Sequence, residues 1–120
     1  MDYYIVSVCH TQRQHQYVTL WRPENKGYAW PLAWAGKYSH EAVMADLGYY
    51  NSGCANIAVR ADVIEALAIP PKPRTVDNDA GPVVMNNAAN WRAMLKALIQ
   101  KPQHEPRPEY RGARHYKEAA

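Results

Sequence analysis

The chain has 120 residues, 48% hydrophobic and 21% charged, the composition of one globular domain rather than of a disordered chain. Its net charge of +3, from 14 basic and 11 acidic side chains, permits contact with a polyanion without requiring it and is milder than the basic stripe of a dedicated nucleic-acid binder. Two cysteines, Cys9 and Cys54, with no CxxC pair argue against a disulfide framework, a zinc ribbon or a thioredoxin-type site.

The N-terminus carries Asp2 where a signal peptide needs basic residues, and the apolar run from Ile5 to Cys9 is short for a signal core. No stretch approaches the roughly 20 apolar residues of a membrane span. The expected compartment is the cytoplasm, with no membrane partner.

Residues 3–10, rich in β-branched and aromatic side chains, predict a strand. A wholly polar stretch, residues 11–16, separates it from a second strand over 17–22, so the two form an antiparallel hairpin. Pro23 ends the second strand, and Asn25-Lys26-Gly27 is a turn. Tyr28 to Leu32 fits a short edge strand, because Pro31 cannot donate to a ladder on both sides. Ser39 caps a helix from His40 to Leu47 that Gly48 closes, and Tyr49 to Gly53 is a loop.

Asn56 to Arg60 predicts a third strand and Ala61 to Ala68 a short helix, stopped by Pro70-Pro71. Residues 70–82 hold four prolines and form an excursion, either ordered or flexible, followed by a short strand at Val83-Val84-Met85. Asn86 or Asn87 caps a helix over 88–99, with Trp91, Met94, Leu95 and Leu98 at the spacing of one buried face. Beyond Lys101 periodicity disappears. Residues 101–120, with five basic and three acidic side chains, read as a polar, mildly basic mobile tail on a domain spanning 1–100.

The chemistries of common small enzymes find little here. The five histidines (His10, His15, His40, His104, His115) form no short-spaced ligand set. Cys9 and His10, as neighbours on a strand, are expected to point to opposite faces and so not to share a metal ion. Cys54, in a loop after Gly53, is expected to be a small buried residue; a nucleophilic role would need His10 or His40 as its base. Nucleophile-elbow and phosphate-loop motifs are absent. No catalytic residue, metal site or cofactor is assigned.

One feature stands above this background. The chain has nine Tyr and four Trp but no Phe. Trp21, Arg22, Lys26, Tyr28, Trp30, Trp34, Lys37 and Tyr38 fall within eighteen residues, with Tyr49 and Tyr50 close behind. Such rings interleaved with cations suit a protein hot spot, or stack bases and neutralise phosphates. They also fill cores: Trp30 and Trp34, spaced by four as on one face of a turn or helix, could plug the interior of a small domain that lacks Phe. The polar loop from His10 to Gln16, with Arg13 at its centre, is a second candidate contact, and Arg60 a further cation.

The run from Tyr17 to Tyr38, together with Leu47-Gly-Tyr-Tyr-Asn51, resembles small uncharacterised proteins encoded by bacteriophages and prophages. The resemblance covers about the first half of the chain and brings no active site. It implies a small accessory protein of the bacterial cytoplasm, of the kind that binds and blocks host or defence machinery, as anti-CRISPR proteins do.

The expectation is therefore an α+β domain: a small antiparallel sheet led by an N-terminal β-hairpin, with two short helices and one C-terminal amphipathic helix packed on it. The expected function is non-catalytic, stoichiometric binding of a bacterial protein or nucleoprotein complex. A nucleotide or nucleic-acid binder using the same aromatics with Lys26, Lys37, Arg60 and the tail is the first alternative. A small enzyme built on His10, Cys54 or Tyr50 is the second. Oligomeric state stays open.

Overall fold

In the computed structural model, which describes residues 1–76 and 80–114, β1 (Asp2–Ser7) is the strand on which the sheet is built. Its alternate side chains go to opposite faces, and both faces are covered. Tyr4 and Val6 enter one core cluster while Tyr3 and Ile5 enter another, so the apolar run is unbroken. β5 (Asn56–Arg60) lies along one edge of β1 in antiparallel register, from Tyr3 opposite Arg60 to Ser7 opposite Asn56. The other edge is shared between β4 (Lys37–Ser39), opposite residues 2–4, and β2 (Leu20–Trp21), whose Leu20 faces Val6. β3 (Tyr28–Ala29) pairs antiparallel outside β2. The molecule is α+β, with a five-stranded antiparallel sheet led by the N-terminal hairpin.

Helices α3 (Ala61–Leu67) and α4 (Ala88–Leu95) cover the first face through Ile64, Trp91 and Met94. Helices α1 (His40–Ala45) and α2 (Leu47–Tyr50) cover the second through Val43, Leu47 and Tyr50. Ser39 and Asn87 cap α1 and α4 by accepting from the N–H of Ala42 and Asn90. No helix among the described residues is long and apolar enough to cross a membrane.

Several local expectations are corrected. The first strand stops at Ser7, because Ser7 turns the chain: its Oγ accepts from His10 N–H and its carbonyl from the Thr11 hydroxyl. The link to β2 is thus residues 8–19 rather than a six-residue turn. Within it Tyr17 and Val18 turn aside to bond residues 84–85. Gly48 does not close a helix. The chain breaks at Asp46 (φ −144°) and resumes as α2, which contains Gly48, Tyr49 and Tyr50.

The last helix ends at Leu95, not 99, because the following residues leave it to pair with β5: Arg60 N–H donates to Ala97 O, and Ile99 N–H to Ala58 O. Leu98 then packs in the first core cluster and Ile99 in the second, as alternation on a strand requires.

Residues 101–114, read from the sequence as tail, run along the body. Pro108 and Ala113 are buried, and Tyr110 packs against the first core cluster. Glu109 pairs with Arg13 at 2.7 Å, and Arg13 also donates to Ala113 O. At the start of this strap His104 N–H donates to Ser52 O. Gly53 makes that approach possible: its φ is +94°, and a Cβ there would lie 1.7 Å from His104 O. Residues 115–120 lie outside the described residues.

Candidate functional site

The aromatic segment divides into rings that hold the fold and rings that face outward. Trp21 is 5% exposed and Tyr38 8%, both in the second core cluster. For these two the expected outward contact is corrected: β2 and β4 turn them toward α1 and α2. Trp21 meets Tyr49 and Tyr50 edge-on at 5.3 and 5.9 Å, and Tyr38 meets Tyr50 at 5.4 Å. Tyr38 also braces the chain beside the site. Its hydroxyl donates to Arg22 O and accepts from Asn25 N–H, fixing the turn over residues 22–25. Burial, the leading cause, raises its hydroxyl pKa above the usual phenol value.

Trp30 and Trp34 instead line an open cleft of about 580 Å³ together with Tyr28, Arg22, His10 and His15. That is within the roughly 300–1,000 Å³ of small-ligand sites. One wall is the segment from β3 to the turn at Leu32–Trp34; Tyr28 is 42% and Trp34 36% exposed. The opposite wall is the polar loop after β1. His10 stacks on Tyr28 with ring centres 4.4 Å apart, and His15 meets Trp30 edge-on at 5.7 Å. Trp30 is held from behind by Tyr17, edge-on at 5.9 Å, and donates its indole N–H to Thr19 Oγ1. Thr75 and Val76 close the end.

Charge in the cleft has one clear source. Arg22 lies over the Trp34 ring at 5.2 Å and donates through Nε to Tyr28 O. The other cations singled out from the sequence carry carboxylate partners: Lys26 with Glu24, Lys37 with Glu65, Arg60 with Asp62 and Arg13 with Glu109. No carboxylate pairs with Arg22 among the described residues, and none lines the cleft.

The structure thus gathers Arg22, Tyr28, Trp30, Trp34 and His10 at one place. Lys37 and Arg60 sit at other parts of the surface, and Arg13 fastens the strap. A separate small crevice is lined by Trp21, Asn25, Gly27, Tyr28 and Tyr49, and Lys26 lines neither it nor the cleft. Gln12 and His15 reach the cleft from the polar loop singled out in the sequence, and the cleft residues not foreseen are Thr19, Ala29, Pro31, Thr75 and Val76. The long polar loop was the available signal for His15. Nothing in the local sequence ties Thr75 to Trp30.

Two expectations about sulfur are corrected as well. Cys9 and His10 belong to a turn, not a strand, so Cys9 Sγ lies 3.2 Å from His10 Nδ1, with Ser7 Oγ at 3.0 Å from the same nitrogen. Cys54 is exposed rather than buried, 4.0 Å from Ser52 Oγ. No group of three or more His, Cys, Asp or Glu side chains gathers as a metal site among the described residues.

Outside the cleft, Tyr4 hydroxyl donates to Glu65, which also holds Lys37. Burial first, and the Glu65 carboxylate second, push the Tyr4 pKa up to about 12. Comparison with protein-family models, curated proteins and solved structures finds no match.

Proposed function

We propose that this protein is a non-catalytic binding protein that acts by stoichiometric occupation of a partner, and that the aromatic cleft is its contact. One observation carries the reading: Tyr28, Trp30 and Trp34 line a preformed concavity beside an arginine that no carboxylate neutralises among the described residues. Rings held by their own fold lose little freedom on binding, and Trp, Tyr and Arg are the residues that dominate binding hot spots. The resemblance of residues 17–38 and 47–51 to small phage and prophage proteins supports a narrower form. In it the target is a bacterial host or defence protein, or a nucleoprotein complex, which the bound protein blocks in the host cytoplasm.

The test is capture from bacterial lysate by the full chain, with Trp34→Ala as control, since Trp34 is exposed and its loss leaves the core intact. The expected result is a partner recovered near one-to-one by the native protein and lost from the variant. Recovery of nothing, or equal recovery by both, refutes the reading.

A second reading draws on the Cys9–His10 contact, which places the imidazole nitrogen of a cleft residue against an exposed thiol. It makes Cys9, not Cys54, the thiol of any activity the protein has. Turnover that survives Cys9→Ser would end it.

A further inference from the structure

The aromatic cleft does not end at His15. A smaller depression lined by Gln14, His15, Tyr17 and Trp30 adjoins it, and beyond that lies a second large one, also about 580 Å³, lined by Arg13, His15, Lys72, Asn86 and Arg111. His15 lines all three, so the depressions adjoin at that residue. Read as one groove, they have ends that differ in chemistry. The end at Tyr28, Trp30 and Trp34 offers ring faces and Arg22; the other offers cations.

The Lys72 backbone is set in place by a closed ring of hydrogen bonds. Its N–H donates to Tyr17 Oη, the Tyr17 hydroxyl donates to Thr75 Oγ1, and Thr75 donates back to the Lys72 carbonyl. Arg111 is brought over by the strap that Arg13 and Asn86 hold. Neither Lys72 nor Arg111 has a carboxylate partner among the described residues, and no carboxylate lines any of the three depressions there.

We infer that this groove holds a single strand of nucleic acid, with bases against Tyr28, Trp30 and Trp34 and phosphates at Arg22, Lys72 and Arg111. The inference rests on the reading of the cleft as a binding site and names what enters it. Exposed rings in sequence with separately placed cations are the arrangement that takes unpaired bases and their backbone, since every base has a face to stack and every linkage a charge. An acidic peptide would meet the same cations. It would, however, find little backbone to pair with: β3, the edge strand beside the cleft, is two residues long, and Arg22 already occupies its Tyr28 carbonyl.

The experiment is fluorescence anisotropy of the full chain with a labelled oligothymidylate of roughly ten nucleotides, across about 50 to 200 mM salt. Three phosphate contacts on a single strand give a slope of log affinity against log salt of about −2. Lys72→Ala with Arg111→Ala should bring it to about −0.7. Trp34→Ala should weaken binding about 5- to 150-fold with the slope unchanged. Circular dichroism melts confirm that each variant is folded, and all three substitutions lie at exposed positions.

Absence of saturable binding overturns the inference, as does a slope that the double variant leaves unmoved. So does an acidic peptide that displaces the oligonucleotide at lower concentration than an unlabelled oligonucleotide does. A nuclease-resistant protein captured through Trp34, with no oligonucleotide bound, overturns this inference while leaving the broader binding reading standing. Failure of both experiments removes the cleft as a site.

Discussion

Asn86 is the residue whose loss should reveal how the cleft is held. It is 7% exposed, and its side chain serves three parts of the molecule at once. Oδ1 accepts from the indole N–H of Trp91 at 2.6 Å, inside the first core cluster. Nδ2 lies 3.2, 3.1 and 3.0 Å from the carbonyls of Gln12, His15 and Glu109, two of them in the cleft loop and one in the strap.

In Asn86→Ala the Trp91 N–H is left without an acceptor at a residue 1% exposed, which costs about 1–3 kcal/mol. The carbonyls lose their donors nearer the surface, where water replaces part of the loss, for about 1 kcal/mol more. The expected total is about 2–4 kcal/mol, a large share of a stability typically near 5–15 kcal/mol. Urea unfolding measures it.

A double-mutant cycle assigns the parts. In a Trp91→Phe background the indole N–H is already gone, so Asn86→Ala should cost about 1–2 kcal/mol less than in the native chain. A cost below about 0.5 kcal/mol, or equal costs in the two backgrounds, refutes the argument.

Three further outcomes follow from the same geometry. Tyr4 holds its proton more tightly folded, to about 12, than the roughly 10 of an exposed phenol, so its contribution is whole below pH 10 and is lost as pH rises toward 12. Melting temperatures across that window should fall further for the native chain than for Tyr4→Phe; parallel falls would contradict it, and Tyr38, raised in the same direction, supplies the residual slope. Gly53→Ala combines a φ of +94° with a methyl 1.7 Å from His104 O, so it should cost about 2–4 kcal/mol and render residues 101–104 sensitive to protease, whereas an unchanged protein would mean that the strap is not fixed there. Cys9 should react with iodoacetamide faster than Cys54 by peptide mass spectrometry, and His10→Ala should remove the difference; equal rates in the native chain would deny the imidazole any effect on the thiol.

The parts of the fold legible in the sequence are those with local signals. β1, β5 and α3 show as runs and periods, and Ser39 and Asn87 cap where short polar side chains precede apolar ones. What escaped depends on partners far along the chain. The spacing of Trp91, Met94, Leu95 and Leu98 suits a helix throughout, yet β5 offers an open edge, and backbone bonds to it draw Ala97 and Ile99 out of the helix. The strap has no period because side chains of Arg13 and Asn86 hold its backbone, and such bonds leave no pattern in the held segment.

The aromatic cluster was visible as a composition, but its division was not. Trp21 and Tyr38 point inward because of the faces that β2 and β4 assign them. Trp30 and Trp34 lie past the two-residue β3, where no strand constrains them.

That division separates residues that touch a ligand from residues that place them, and Tyr38 tests it. Its hydroxyl makes two backbone bonds, to Arg22 O and from Asn25 N–H, and it does not line the cleft. Tyr38→Phe keeps the ring in the core and removes both, for about 1–2 kcal/mol of stability. The turn it releases carries Arg22, whose guanidinium in turn lies over Trp34, so the cost should also appear in binding. Part of the ordering that the native fold completes in advance must now be done when the ligand arrives. Affinity for the oligothymidylate should fall several-fold in Tyr38→Phe, and the same change made in Trp34→Ala should have a smaller effect, because the stacked partner of Arg22 is already missing. If Tyr38→Phe lowers stability as calculated yet leaves binding untouched in both backgrounds, then the turn is held by other means and the inward rings serve the core alone.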